Sequence, residues 1–208
     1  MSKAQVVISA PKMNIAAFRI RGTAPLVVNK FSAKAREMIR ATQEAGSTAR
    51  GKKHRDPKNF AEAYEGSRHI AADGWDGFPA SAFRCATISA CRLVGFKMTL
   101  AKLSLFIEAD GFSADDSTPL VKITKGEPKQ VVHPVRNSSG VVDLRSRAMF
   151  EPGWEMMLRV RFDSEQFTQT DIANLVMRVG SQVGIGEGRP DSRDGAGMGW
   201  GLFEITNN

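Results

Sequence analysis

Apolar residues recur along this chain in two rhythms. Where they alternate, strands are predicted. Residues 14–22 carry Ala16, Phe18 and Ile20 on one side and Arg19 and Arg21 on the other, a strand with one wet, basic face. Gly22-Thr-Ala-Pro25 breaks that run, and Leu26-Val27-Val28 resumes it briefly. Residues 155–162 set Met156, Leu158, Val160 and Phe162 against Met157, Arg159 and Arg161, a half-buried strand with its arginines outward. Shorter strands are predicted over 103–109, 120–124 and 130–135, and a closing one at Leu202-Phe203-Glu204-Ile205. Asn137-Ser-Ser-Gly140 is a turn signal, so 129–150 reads either as a hairpin standing off the core or as a further strand pair of the sheet.

The second rhythm is helical. Residues 81–94 are apolar nearly all round, through Phe83, Ala86, Ile88, Ala90, Cys91, Leu93 and Val94, which predicts a buried helix ended by Gly95. Ser81 is its expected cap. Thr168 followed by Asp171 forms a capping-box pattern, and Ile172, Leu175, Val176, Val179 and Val183 then fall on one helical face. Residues 32–45 predict a helix with only a thin stripe, Ala35, Met38, Ile39 and Thr42. Residues 46–58 lack any period and predict a loop, and 59–70 predict a short helix.

In order, these elements read strand, insertion, helix, strand, hairpin-like excursion, strand, helix, glycine loop, strand. That is an α+β chain with a ferredoxin-like (RRM-like) β-α-β-β-α-β core and insertions. It predicts a four-stranded antiparallel sheet with both helices on one face. One domain over 1–208 is expected, with a basic insertion at 30–75 and a thumb-like hairpin at 124–152.

Between the last helix and strand runs Gly184-Ile-Gly-Glu-Gly-Arg-Pro-Asp-Ser-Arg-Asp-Gly-Ala-Gly-Met-Gly-Trp-Gly201. So many glycines cost backbone entropy and suit a place where another backbone comes close. That neighbour is either a segment of protein or a phosphate chain. The guanidiniums of Arg189 and Arg193 favour phosphate. Trp200 suits either a base stack or the core.

Charge sharpens the picture. The net charge is +7 and the isoelectric point about 9.7, within the range of nucleic-acid binders. In the insertion, Lys30, Lys34, Arg36, Arg40, Arg50, Lys52, Lys53, Arg55 and Lys58 face only Glu37, Glu44 and Asp56. The run is either a solvated face or a basic loop that orders on a strand. The hairpin region adds Lys129, Arg136, Arg145 and Arg147.

Other chemistry is thin. Cys85 and Cys91 share one helix on different faces and suit a reducing cytoplasm. His54, His69 and His133 are scattered, so no metal and no cofactor is expected. The acidic stretch Asp110 to Asp116 lacks calcium-loop spacing and reads as a solvated loop. No apolar run approaches the roughly 20 residues of a membrane span, and residues 1–12 lack a signal-peptide core.

Three features resemble the RAMP superfamily, the repeat-associated proteins of CRISPR effector complexes. The glycine string resembles that family's loop before the last strand. Phe78-Pro-Ala-Ser-Ala-Phe-Arg-Cys-Ala86 resembles its Ile-Pro-Gly-Ser-Ser-Leu-Lys-Gly-Ala motif, with Ala80 and Cys85 in place of glycines and Ala82 in place of a serine. Gly22-Thr-Ala-Pro-Leu26 resembles its Thr-Pro-Leu turn. The branch indicated is the Cas7-like backbone subunit, either within a CRISPR complex or as a stand-alone phage or mobile-element relative.

The resemblance implies a non-enzymatic protein that binds single-stranded RNA or DNA without regard to sequence and forms a helical or filamentous homo-oligomer along it. It further implies that the thumb-like hairpin reaches over a neighbouring subunit. RNA-cleaving relatives carry an aspartate in the loop after the first strand; here that loop reads Asn29-Lys-Phe-Ser-Ala-Lys34, so binding is expected rather than cleavage. The expected contacts are Lys30, Lys34, Arg36, Arg40, Lys52, Lys53, Arg55, Ser81, Arg84, Arg136, Arg145, Arg189 and Arg193. They are expected to line one groove, floored by the glycine string and the start of the first core helix. Two alternatives stand beside this: a metal-dependent ribonuclease of the RAMP type, and an assembly subunit that touches no nucleic acid.

Overall fold

The computed structural model describes residues 10–31, 33–44, 46, 57–136, 142–192 and 197–206. The first half holds strands β1 (Met13–Gly22) and β2 (Leu26–Val28), helices α1 (Ala33–Glu44) and α2 (Phe60–Glu65), and strands β3 (His69–Ile70) and β4 (Asp76–Pro79). Helices α3 (Ala80–Leu93) and α4 (Met98–Ser104) follow, then strands β5 (Leu105–Ile107), β6 (Gly111–Phe112) and β7 (Pro119–Lys125). Strands β8 (Pro128–Arg136), β9 (Val142–Phe150) and β10 (Glu155–Asp163) lead to helix α5 (Gln169–Arg178), a π-helical turn (Val179–Val183) and β11 (Phe203–Ile205).

The alternation in β10 does what its sequence requires. Met156, Leu158, Val160 and Phe162 are buried, and the residues between them are not. β10 pairs antiparallel with β1 from Met13 opposite Asp163 to Arg21 opposite Glu155. The large sheet runs β11-β1-β10-β7-β4-β3, with β5 also on β10 and β6 on β7. Its central strands therefore follow the spatial order fourth, first, third, second. That is the ferredoxin-like arrangement, within an α+β chain of antiparallel sheets. Helices α3 and α5 cover one face, where Phe83, Leu158, Ile172 and Phe203 share a single core.

A strand was expected from residue 103, but residues 98–104 form α4. Ala101 is fully buried there, one turn before Leu105 at the start of β5. Phe78-Pro79 ends β4, where a proline costs no inner ladder bond. Strands β3, β4 and β6 enlarge the expected four-stranded sheet, because two- to four-residue strands leave no readable period. The expected capping box is present, with Thr168 accepting from the Asp171 N–H at 3.1 Å. Val179 and Val183 are buried as expected, but from the π-helical turn.

The hairpin forms, with Lys129 opposite Met149 and Val135 opposite Asp143. It does not extend the large sheet. It joins β2 in a separate three-stranded sheet of order β2-β9-β8. Helix α2 braces it: the Tyr64 hydroxyl donates to the Pro128 carbonyl at 3.0 Å, and Ser67 Oγ accepts from the Ala148 N–H at 2.8 Å. Residues 23–25 join the two sheets and are pinned. The Leu202 carbonyl accepts from the Thr23 N–H at 3.0 Å and the Ala24 N–H at 3.2 Å, Trp154 Nε1 donates to Ala24 at 2.9 Å, and the Gly201 N–H donates to Pro25 at 2.7 Å. Among the described residues no helix is long and apolar enough to cross a membrane.

Candidate nucleic-acid interface

The glycine string is packed against its own chain. Glu187 donates its N–H to the Val27 carbonyl at 3.0 Å, so the string lies along β2. A Cβ at Gly186, which has φ +81°, would lie 2.6 Å from that same carbonyl oxygen. A Cβ at Gly201 would lie 1.7 Å from the Ile185 carbonyl oxygen. Of the two neighbours the sequence allowed, a protein backbone is the one that these glycines meet.

Glu187 is the string's anchor. Its carboxylate takes Arg147 Nε at 2.9 Å, His133 Nε2 at 3.5 Å and Arg145 Nη1 at 3.8 Å. The hairpin is thus tied to the string through one largely buried acid. His133 also meets the Trp200 ring edge-on, with centroids 5.3 Å apart, and Trp200 rests against Gly188. Trp200 is a packing wedge here. Arg189, half-buried, donates from Nη1 to the Gly186 carbonyl at 3.1 Å, leaving most of its guanidinium N–H groups without an acceptor among the described residues.

The insertion's charges meet acids from far along the chain. Lys30 pairs with Asp115 and donates to Ser113 Oγ at 3.1 Å. Arg36 reaches Asp115 at 2.9 Å and Asp116 at 3.2 Å. Arg40 pairs with Glu44 at 2.8 Å within α1. Burial works to raise the Asp115 carboxyl, but hydrogen bonds from Lys30 and Ser113 outweigh it and hold it well below the usual carboxylate range. Asp116 is lowered too: burial again works upward and is outweighed by the bonds from Thr118 and Ser113. His69, 8% exposed, lies in the same field, and its Nδ1 has no partner among the described residues. Burial, then the Lys30 charge, pushes its imidazole down to about 4.

The start of α3 differs from expectation. Pro79 is the capping residue, no side chain caps the helix, and Ser81 is exposed in the first turn. Arg84 donates to the carbonyls of Leu105, at 2.9 Å, and Lys102, which close α4. Its guanidinium also stacks 5.0 Å from the Phe106 ring. The glycine string meets α3 at the other end, where Asp191 pairs with Arg92 at 3.0 Å. Arg92 lies about 16 Å along the helix axis from Ser81. The expected single groove, floored by both, is not what this contact builds.

Of the other expected contacts, Lys52, Lys53, Arg55 and Arg193 lie outside the described residues, as do the side chains of Lys34 and Arg136. Lys34 stands in α1 and Arg136 ends β8. The structure therefore gathers Lys30 with Arg36, and Arg145 with the string that carries Arg189. The sequence reading missed Glu187, Asp115 and Asp116 as the partners of these cations. Glu187 is one of three acids in the string, with Asp191 and Asp194, so the sequence did not single it out.

No protein-family model matches this chain, and no curated protein matches it. Among solved structures, a chain of the cryo-EM structure of the Type III-B Cmr-beta bound to cognate target RNA is similar, with a TM-score of 0.55 at 10% identity. The likeness covers 94% of this chain and 60% of that one, so this chain spans less than two thirds of the neighbour's length. At that identity it is the fold that the two chains share: a mixed α+β chain of mostly antiparallel sheets about a ferredoxin-like core.

Proposed function

We propose that this chain binds single-stranded RNA as a Cas7-like, non-catalytic subunit whose copies repeat along the strand. The observation that carries the reading is the structural likeness, over 94% of the chain, to a chain of an assembly bound to target RNA. The net charge of +7 supports it, since a polyanion is the partner such a surface attracts. Lys34, Lys52, Lys53 and Arg55 of the insertion, Arg136 and Arg145 of the hairpin, and Arg189 and Arg193 of the string supply phosphate contacts. Lys30, Arg36 and Arg40 add to the field, and Ser81 and Arg84 mark the start of α3. The hairpin serves as the thumb. Its Val132, Val142 and Leu144 are 47%, 53% and 49% exposed, and they meet the neighbouring copy.

Titration with single-stranded RNA and DNA oligomers of increasing length tests the proposal. Binding that strengthens with length and weakens with salt is expected, with RNA at least as tight as DNA. Indifference to both polymers at low salt overturns it.

A further inference from the structure

Helices α3 and α5 cover one face of the large sheet, and the other face carries an aromatic ring laid on bare backbone. A Cβ at Gly77 would come within 2.9 Å of the Trp75 ring, and one at Gly111 within 2.7 Å. The indole therefore rests where β4 and β6 both lack a side chain. The Lys122 ammonium lies 5.6 Å from its centroid. Next along the face, Asp110 accepts from the Lys122 N–H at 2.8 Å and from Arg159 Nη2 at 2.7 Å. Beside Arg159 stands Arg161, paired with Glu108 at 2.6 Å and stacked 4.6 Å from the Phe106 ring. Glu108 and Phe106 thus hold the guanidinium plane of Arg161 in place. Trp75 and Arg161 are both partly exposed.

We infer that this face takes unpaired nucleobases, which stack on Trp75 and on the guanidinium plane of Arg161. Aromatic rings, indole among them, and guanidinium planes are surfaces on which bases stack regardless of sequence. Charge favours the same occupant. Arg19 and Arg21 stand on this face of β1 and form no ion pair among the described residues, so the face keeps positive charge for a phosphate chain. The inference rests on the proposed function and deepens it, because it assigns a surface that stacks bases beside cations that hold phosphates.

The test compares oligouridylate with an abasic sugar–phosphate chain of equal length. The protein is expected to bind oligouridylate roughly tenfold more tightly, and its tryptophan emission to fall as that chain binds. Trp75→Leu and Arg161→Lys are expected to close most of that gap while leaving affinity for the abasic chain unchanged. Arg161→Lys keeps the charge and loses the plane, so it carries the test if Trp75→Leu fails to fold. Equal affinity for the two chains, tryptophan emission that oligouridylate leaves unchanged, or an undiminished preference in Arg161→Lys overturns the stacking face alone. Failure to bind either chain overturns the proposed function itself.

Discussion

Glu187 shows how much one residue can hold. Three basic side chains from the hairpin converge on it, and it has little access to water that would replace them. Glu187→Gln keeps the shape but removes the charge, and we expect a loss of about 1–3 kcal/mol in urea unfolding. A variant as stable as the parent would refute that anchoring role. His69 makes a second prediction. Its imidazole titrates near 4 in the folded protein, against 6.5 when exposed. The unfolded chain therefore takes up the proton first as pH falls. Stability present above pH 6.5 is lost progressively toward pH 4, by on the order of 3 kcal/mol. His69→Gln is expected to flatten the unfolding free energy across that window, and an unchanged slope would exclude His69 as its source. Neither residue's role was legible in the sequence. A charge can be seen there, but its partner cannot when the two lie far apart in the chain, as Lys30 and Asp115 do.

Elements were legible in proportion to their length. Strand β10 carries four repeats of one alternation, helix α5 nearly three turns of one period and a cap, and both stand where the pattern put them. Strands β3 and β6, of two residues each, have no period to detect. Helix α4 shows the limit from the other side, since its few apolar residues fit a strand as well as a helix until Ala101 is known to be buried. The β8–β9 hairpin was legible as a hairpin, and its sheet was not, because pairing with β2 is set at long range. If the arm meets a neighbouring copy, Val132→Glu with Leu144→Glu should leave the melting temperature nearly unchanged, both positions being half-exposed. The same variant should shorten the assemblies formed on long RNA, as seen by sedimentation. Full-length assemblies would remove the hairpin from the contact.

At the scale of the molecule, the strand order and the excess of positive charge were both readable, and the distribution of that charge was not. Asp115 and Asp116 already occupy Lys30 and Arg36. On the proposed function, a phosphate chain would have to compete with them. Asp115→Asn with Asp116→Asn raises the net charge from +7 to +9, that is, 7 plus 2. We expect tighter RNA binding and a steeper dependence on salt, alongside some loss of stability. Weaker binding would show instead that the acidic loop shapes the interface. The pinned corner at residues 23–25 has a mechanical consequence. Strand β2 hangs directly from β1, and the backbone and indole bonds at that corner leave no slack between them. A pull on the hairpin would therefore pass through β9 and β2 into β1 of the large sheet, and if copies repeat along a strand as proposed, each would hand load to the next by that route.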